Sequence, residues 1–548
     1  MNARPYAASA LVLSLVSSTL SSAPAPAVDP ANLDRSVKPG DDFFTYANGG
    51  WIARTEIPAD RAIWSVGAML AELTAQRTAE LIAETAKGAA PEGSEARKIG
   101  DTYSTFLDEA TIEAKGLEPL KPTLDRIAAI GNAGELAAYL GSTVRADVDV
   151  LNATNLHTDN VLGLWVAQDL DDPSRYVPFL LQGGIGLPDR DYYTDPSPRM
   201  EEIRGKYQAH LVAVLRLMGT AEGDAAAAAE RIYALEKRLA ETHATRTDSS
   251  DVLKGNNHWK REELDQKAPG LDWGAFLKAA GLDAQREFVM WQPAAVTGLT
   301  AAAREVPLAT WKEYLALRAV EHVAPFLPKR VVDEYFAFYG TALSGTPKQR
   351  DRWKRAVSVT DAALGEAVGR LYVARYFPPA AKKRVEEMVK NEVTAFARRI
   401  DKLDWMTAQT KKRAKAKLAV LRVGIGYPDR WRDYSGLVVT KGDALGNAQR
   451  AELFRLRQQL AKLGGPVDRG EWVMNPQLVN AVNLPAMNAL NFPAAILQPP
   501  NFDAKRPRVM DYGAIGAIIG HEICHSFDDQ GALFDEKGKL ENWWTKED

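Results

Sequence analysis

Cysteine is nearly missing from this sequence, Cys524 being the only one. No intrachain disulfide can form, which excludes a disulfide-stapled scaffold and a paired-cysteine redox centre. Histidine is scarce as well, with seven in 548 residues. A surplus of either charge is also lacking: 68 Lys and Arg stand against 71 Asp and Glu. That balance argues against nucleic acid or an anionic membrane surface as a partner. The apolar run Ala7 to Leu20, behind Arg4 and ahead of the small residues Ser21 to Ala27, is too short and too rich in Ser to span a bilayer well. Residues 1–27 read as a secretory signal. An uncleaved anchor is the alternative, and the one route to membrane association. An exported chain without disulfides fits a periplasmic or secreted protein.

The length exceeds what one compact core usually organises, so two domains are expected. Residues 65–145 carry repeated helical periodicity, as in Leu117, Leu120, Leu124 and Ile127. Residues 146–182 look strand-like between polar turns. The Gly-rich stretch Gly183 to Tyr193 lacks the spacing of a phosphate cradle and reads as a loop. Glu222 to Glu241 predicts a long helix whose Ala block reflects helix propensity. Residues 305–405 read as helix after helix. The basic run Thr410 to Lys417 reads as a solvated helix face. His157, His210, His243, His258 and His322 are scattered singly and read as surface or capping residues. The Pro-bounded apolar run Leu490 to Pro500 reads as a strand whose prolines suit an edge position. It serves either as a plain hairpin or as an edge that binds an extended peptide by strand addition.

The densest chemistry is Gly520-His521-Glu522-Ile523-Cys524-His525. An H-E-x-x-H pattern is expected by chance on the order of 0.01 times in a chain this poor in histidine. The preceding run from Gly513 to Gly520 has no proline and suits a buried helix. Residues four apart share a helix face, so His521 and His525 can direct two imidazoles at one Zn²⁺ ion. Glu522, turned about 100° round the helix, is placed instead to take a proton from water as a general base. Asp528 and Asp529 follow, as candidates to hold a ligand imidazole by its other N–H or simply as acidic turn residues. Cys524 reads as a small buried residue. The bland alternative for the whole stretch is a buried helix with core histidines.

The segment His521-Glu-Ile-Cys-His-Ser-Phe-Asp-Asp-Gln-Gly531 resembles the active-site helix of the neprilysin/endothelin-converting-enzyme (M13) family of zinc metallopeptidases, bacterial oligopeptidases included. Asp41-Asp-Phe-Phe-Thr-Tyr-Ala-Asn-Gly-Gly-Trp51 and Gly426 to Ser435 are similar to further family signatures. The resemblance implies a mainly α, two-lobed fold, in which a large helical N-terminal lobe caps a thermolysin-like catalytic domain. The expected division is a signal at 1–27, the helical lobe at 28–436, a linking segment at 437–477 and the start of the catalytic domain at 478–548. The resemblance further implies zinc-dependent hydrolysis of peptide substrates, with Asn480 and Ala481 contacting the substrate backbone; Val482 and Asn483 depart from the family's aromatic pair. The family's third zinc ligand is a Glu in a later E-x-x-x-D motif. None of Asp528, Asp529, Asp535, Glu536, Glu541, Glu547 or Asp548 begins one. The catalytic domain is therefore expected to be incomplete and C-terminally truncated, and this chain weakly active or inactive. The competing expectation is a catalytically inactive pseudopeptidase that binds peptides or a partner.

Overall fold

Helices dominate because long segments place their apolar residues on one stripe, and those that begin after Ser65, Ser94, Thr407 and Asp443 carry a capping side chain at the start. The computed structural model describes residues 29–151 and 155–548, so the expected signal at 1–27 lies outside the described residues. Helix α1 (Val66–Lys87) shows the pattern: Ser65 accepts the N–H of Ala68, and Leu70, Leu81 and Ile82 turn inward. It packs on α2 (Glu95–Leu107), itself capped by Ser94.

The expected strands after residue 146 form a four-stranded sheet. β1 (Leu162–Gln168) runs antiparallel to β2 (Tyr176–Gln182). Helices α3 (Pro198–Leu217) and α4 (Glu222–Thr242) follow, with Ala225, Ala228 and Ala229 of the Ala block buried. Here small side chains let a neighbouring helix approach closely, so the block packs as well as favouring helix. Strands β3 (His258–Lys260) and β4 (Glu287–Met290) complete the order β1-β2-β4-β3. Helix α5 (Leu308–His322) packs against α3 and α4. One large core joins these elements, including Leu164, Leu180, Tyr207, Ile232, Phe288 and Trp311.

A second core gathers the C-terminal elements. Helices α6 (Arg352–Tyr376), α7 (Pro379–Asp401) and α8 (Ala408–Ala419) lead into β5 (Arg422–Gly426). Helix α9 (Ala444–Leu460) then returns to the first lobe, placing Leu445 and Leu456 in its core. Strands β6 (Val482–Leu484) and β7 (Ala489–Pro493) close a sheet of order β5-β7-β6. Leu490, Phe492, Ile515, Ile519 and Ile523 share its core with Val385 and Met388 of α7. The fold is thus mainly α and two-lobed.

Four expectations are corrected. The run from Leu490 supplies the central strand β7, not an edge, with β5 parallel on one side and β6 antiparallel on the other. All five β7 residues are buried, and Pro493 sits at the strand's last position, where its missing N–H costs little. The edge is β6. The basic run on α8 is a solvated face only in part: Lys417 is 1% exposed, and its ammonium donates to the carbonyls of Gly531 (2.8 Å) and Phe534 (2.7 Å). Cys524 is exposed, because Ile519 and Ile523 take the inward face of its helix. Of the five scattered histidines, His157 is exposed. His210 bridges Glu321 and Glu334, His322 bridges Asp159 and Glu452, His258 meets Glu287, and His243 is buried. Each buried imidazole except His243 has a carboxylate partner, which its burial demands.

Candidate active site

The chain turns at Arg508–Asp511, winds through a π-helical stretch at Tyr512–Gly516 and continues as α10 (Ala517–Cys524). π-Helical turns concentrate at functional sites. Ile515, Ile519 and Ile523 are all fully buried and fix the inward stripe of the helix. Gly516 and Gly520 meet α7 instead, where a Cβ on Gly516 would come within 2.8 Å of the Glu392 carboxylate. The remaining face carries His521 and His525 outward.

The two imidazoles converge, with their Nε2 atoms 3.0 Å apart and the rings inclined at 78°. A tetrahedral zinc ion with Zn–N bonds of 2.0–2.1 Å holds its ligand atoms about 3.3 Å apart. The pair therefore fits zinc after a shift of a few tenths of an ångström. On the far side of the ring, His525 Nδ1 meets Asp528 Oδ2 at 2.6 Å. A carboxylate there holds the proton on Nδ1 and leaves the Nε2 lone pair facing its neighbour. Asp528 is itself fixed, its Oδ1 accepting the N–H groups of Gln530 (3.1 Å) and Gly531 (2.8 Å). Asp529 plays no such part: it is exposed, and its carboxylate meets Gln530 Nε2 at 3.4 Å. Glu522 is 7% exposed. Burial raises its carboxyl pKa, and the two imidazoles pull it back down.

Two residues that sequence reasoning passed over hold this helix end in place. Asn483, on edge strand β6, donates its amide to the Glu522 carbonyl and to Ser526 Oγ, both at 2.8 Å. Lys417 clasps the loop that carries Asp528, and burial lowers its pKa to about 8 against the pull of Asp535, Asp528 and Glu536. Gly531 must be glycine at this crossing, because a Cβ would lie 1.8 Å from the His525 carbonyl oxygen.

Comparison with known proteins adds the lineage. Models of peptidase family M13 match residues 39–428 and 480–548. The chain belongs to peptidase family M13. Rat endothelin-converting enzyme-like 1 is 31% identical over 535 residues, covering 94% of this chain and 68% of that protein. The crystal structure of Mycobacterium tuberculosis zinc metalloprotease Zmp1 with an inhibitor superposes with a TM-score of 0.89 at 40% identity, covering 95% of this chain and 78% of that one. Against the same enzyme in its open state the TM-score is 0.79, at 41% identity and 93% and 78% coverage. M13 metallopeptidases are peptide-cleaving zinc enzymes, and the coarse chemistry of this chain follows.

Within the M13 frame the other site residues fall as follows. Asn480 is exposed and Ala481 half-buried, immediately before β6 at the sheet edge. Among the described residues no third His, Cys, Asp or Glu ligand atom joins His521 and His525. The late carboxylates are engaged elsewhere: Asp535 accepts the N–H groups of Lys537 and Lys539, and Glu536 and Glu541 face Arg413. Asp548 caps the start of α8 through Thr407 and Thr410.

Proposed function

We propose that this protein is an exported, periplasmic or secreted, zinc-dependent endopeptidase that hydrolyses peptide bonds in oligopeptides. The observation that carries this reading is the 3.0 Å convergence of His521 and His525 Nε2, backed by Asp528 and flanked by Glu522. When bound, zinc supplies a Lewis acid that polarises a carbonyl and acidifies water. His521 and His525 hold the ion; Asp528 orients His525. Glu522 accepts the proton of the attacking water, and its buried setting raises its affinity for that proton. An extended substrate adds to the free edge of β6, with Asn480 and Ala481 aligning its backbone. The working division is a signal at 1–27, a helical lobe at 28–436, a link at 437–477 and a catalytic segment from 478.

Among the described residues two imidazoles converge where a catalytic zinc site takes three protein ligands, which favours a second reading: a chain that binds peptides along β6 but cleaves them weakly. A quenched-fluorescence peptide separates the readings. Cleavage that a chelator stops and E522Q abolishes supports the peptidase; peptide binding without cleavage supports the second.

A further inference from the structure

We propose a second metal site in the helical lobe, formed by His258, Asp169 and Asp171, that takes a zinc-class divalent cation. His258 lies on β3, and its Nδ1 meets Glu287 Oε1 of β4 at 2.9 Å. That carboxylate holds the proton on Nδ1, the arrangement that presents Nε2 as a ligand. His258 Nε2 is buried and has no hydrogen-bond partner. Yet Asp171 Oδ2 stands 3.2 Å from it and Asp169 Oδ1 3.5 Å. The three atoms lie within 4.8 Å of one another. Ligand atoms around a tetrahedral zinc ion sit about 3.3 Å apart, so the two measured spacings bracket that value.

The carboxylates are held in place. Asp169 is fully buried, accepts the N–H of Asp171 at 2.8 Å and pairs with Arg175. Asn256 Nδ2 donates to Asp171 Oδ1 at 3.0 Å, which leaves Oδ2 free to face His258. Arg175 also donates to Glu287 Oε2 at 2.8 Å and lies 4.0 Å from Asp172. Three carboxylates thus surround the His258 imidazole with one guanidinium among them, and a divalent cation offsets the negative charge gathered there. Lys539, a further cation that feels Asp171, is paired with Glu541 at 3.1 Å. A hydrogen on His258 Nε2 would align with neither aspartate. The imidazole selects zinc or a similar transition metal over Ca²⁺ and Mg²⁺, which take oxygen ligands. The location gives the ion a role: Leu170, between the two aspartates, accepts the N–H of Leu540 at 2.7 Å. A metal there stiffens the turn on which the C-terminal segment docks.

The test uses the full chain carrying H521A and H525A, stripped by chelator and titrated calorimetrically with Zn²⁺ alone and with Ca²⁺ alone. One Zn²⁺ per chain is expected, with no comparable Ca²⁺ binding. Adding D171N, which changes an exposed side chain, or H258A should weaken Zn²⁺ by at least about 100-fold, and E287Q by about 10–100-fold. No zinc in the parent, binding unchanged by D171N and H258A, or tight Ca²⁺ binding would each overturn the site. Because the catalytic histidines are absent throughout, failure here leaves the peptidase reading untouched.

Discussion

Lys417 offers the sharpest test of how the zinc helix is held. Replacing it with Met keeps the aliphatic stem and removes two charge-assisted bonds, each worth about 1.5–3 kcal/mol. The Phe534 carbonyl retains Trp543 Nε1 at 3.0 Å, whereas Gly531 loses the ammonium donor. Against that loss, the drop of the lysine from 10.5 to about 8 corresponds to roughly 3 kcal/mol of buried-charge cost that Met relieves. The bonds equal or outweigh the relief, and K417M should lose up to about 3 kcal/mol at pH 7. The pH dependence has a definite sign. The unfolded chain keeps the lysine proton up to its ordinary value, while the folded chain releases it near 8. The wild type therefore gains stability as pH rises through that window, and the gap to K417M widens by up to about 3 kcal/mol. Urea unfolding of both proteins from pH 7 to 10.5 reads this, with amide exchange over residues 525–534 reporting the local loosening. A gap that stays flat across the window, or unchanged exchange in the loop, would refute the buried-cation clasp.

Two further outcomes are expected. N483A strips the donor from the Glu522 carbonyl and the buried Ser526 hydroxyl, costing about 1–3 kcal/mol. Exchange at the C-terminal turn of α10 should rise while the helical lobe stays protected. Glu236 is fully buried and receives the hydroxyls of Tyr193 and Tyr207 at 2.8 Å each, and burial lifts its pKa to about 7. The folded state keeps that proton when the unfolded chain has lost it, so wild-type stability should fall between pH 4.5 and 7 by about 3 kcal/mol. E236Q should show a flatter curve over the same range in urea titrations; parallel curves would remove the carboxyl from the explanation.

Much of the site was legible because helical spacing is strict. The four-residue step from His521 to His525 places both on one face, and Asp528 three residues on reaches the second ring. Asp529 carries the same chemistry one residue later, and the turn directs it to solvent; sequence alone does not separate the two. The helical lobe was readable from periodicity, and the strands after residue 146 from alternation. The edge strand was not, since a Pro at the last position of a buried strand looks the same in sequence as a Pro on an edge. Lys417 and Asn483 were hidden for another reason: each works through a carbonyl or hydroxyl distant in sequence, which no local pattern records. Lys417 sat inside a run of lysines whose other members are solvated. His258 looked isolated because Asp169 and Glu287 reach it only through sheet pairing.

The measurement that bears most directly on the central claim is calorimetric zinc titration at the H-E-x-x-H helix. Using the H258A chain removes the proposed second site from the signal. Binding should then be weak, fall a further 10–100-fold or so in D528N, and vanish in H525A. Zinc affinity that survives H525A unchanged would contradict the assignment of the converging imidazoles as the metal site.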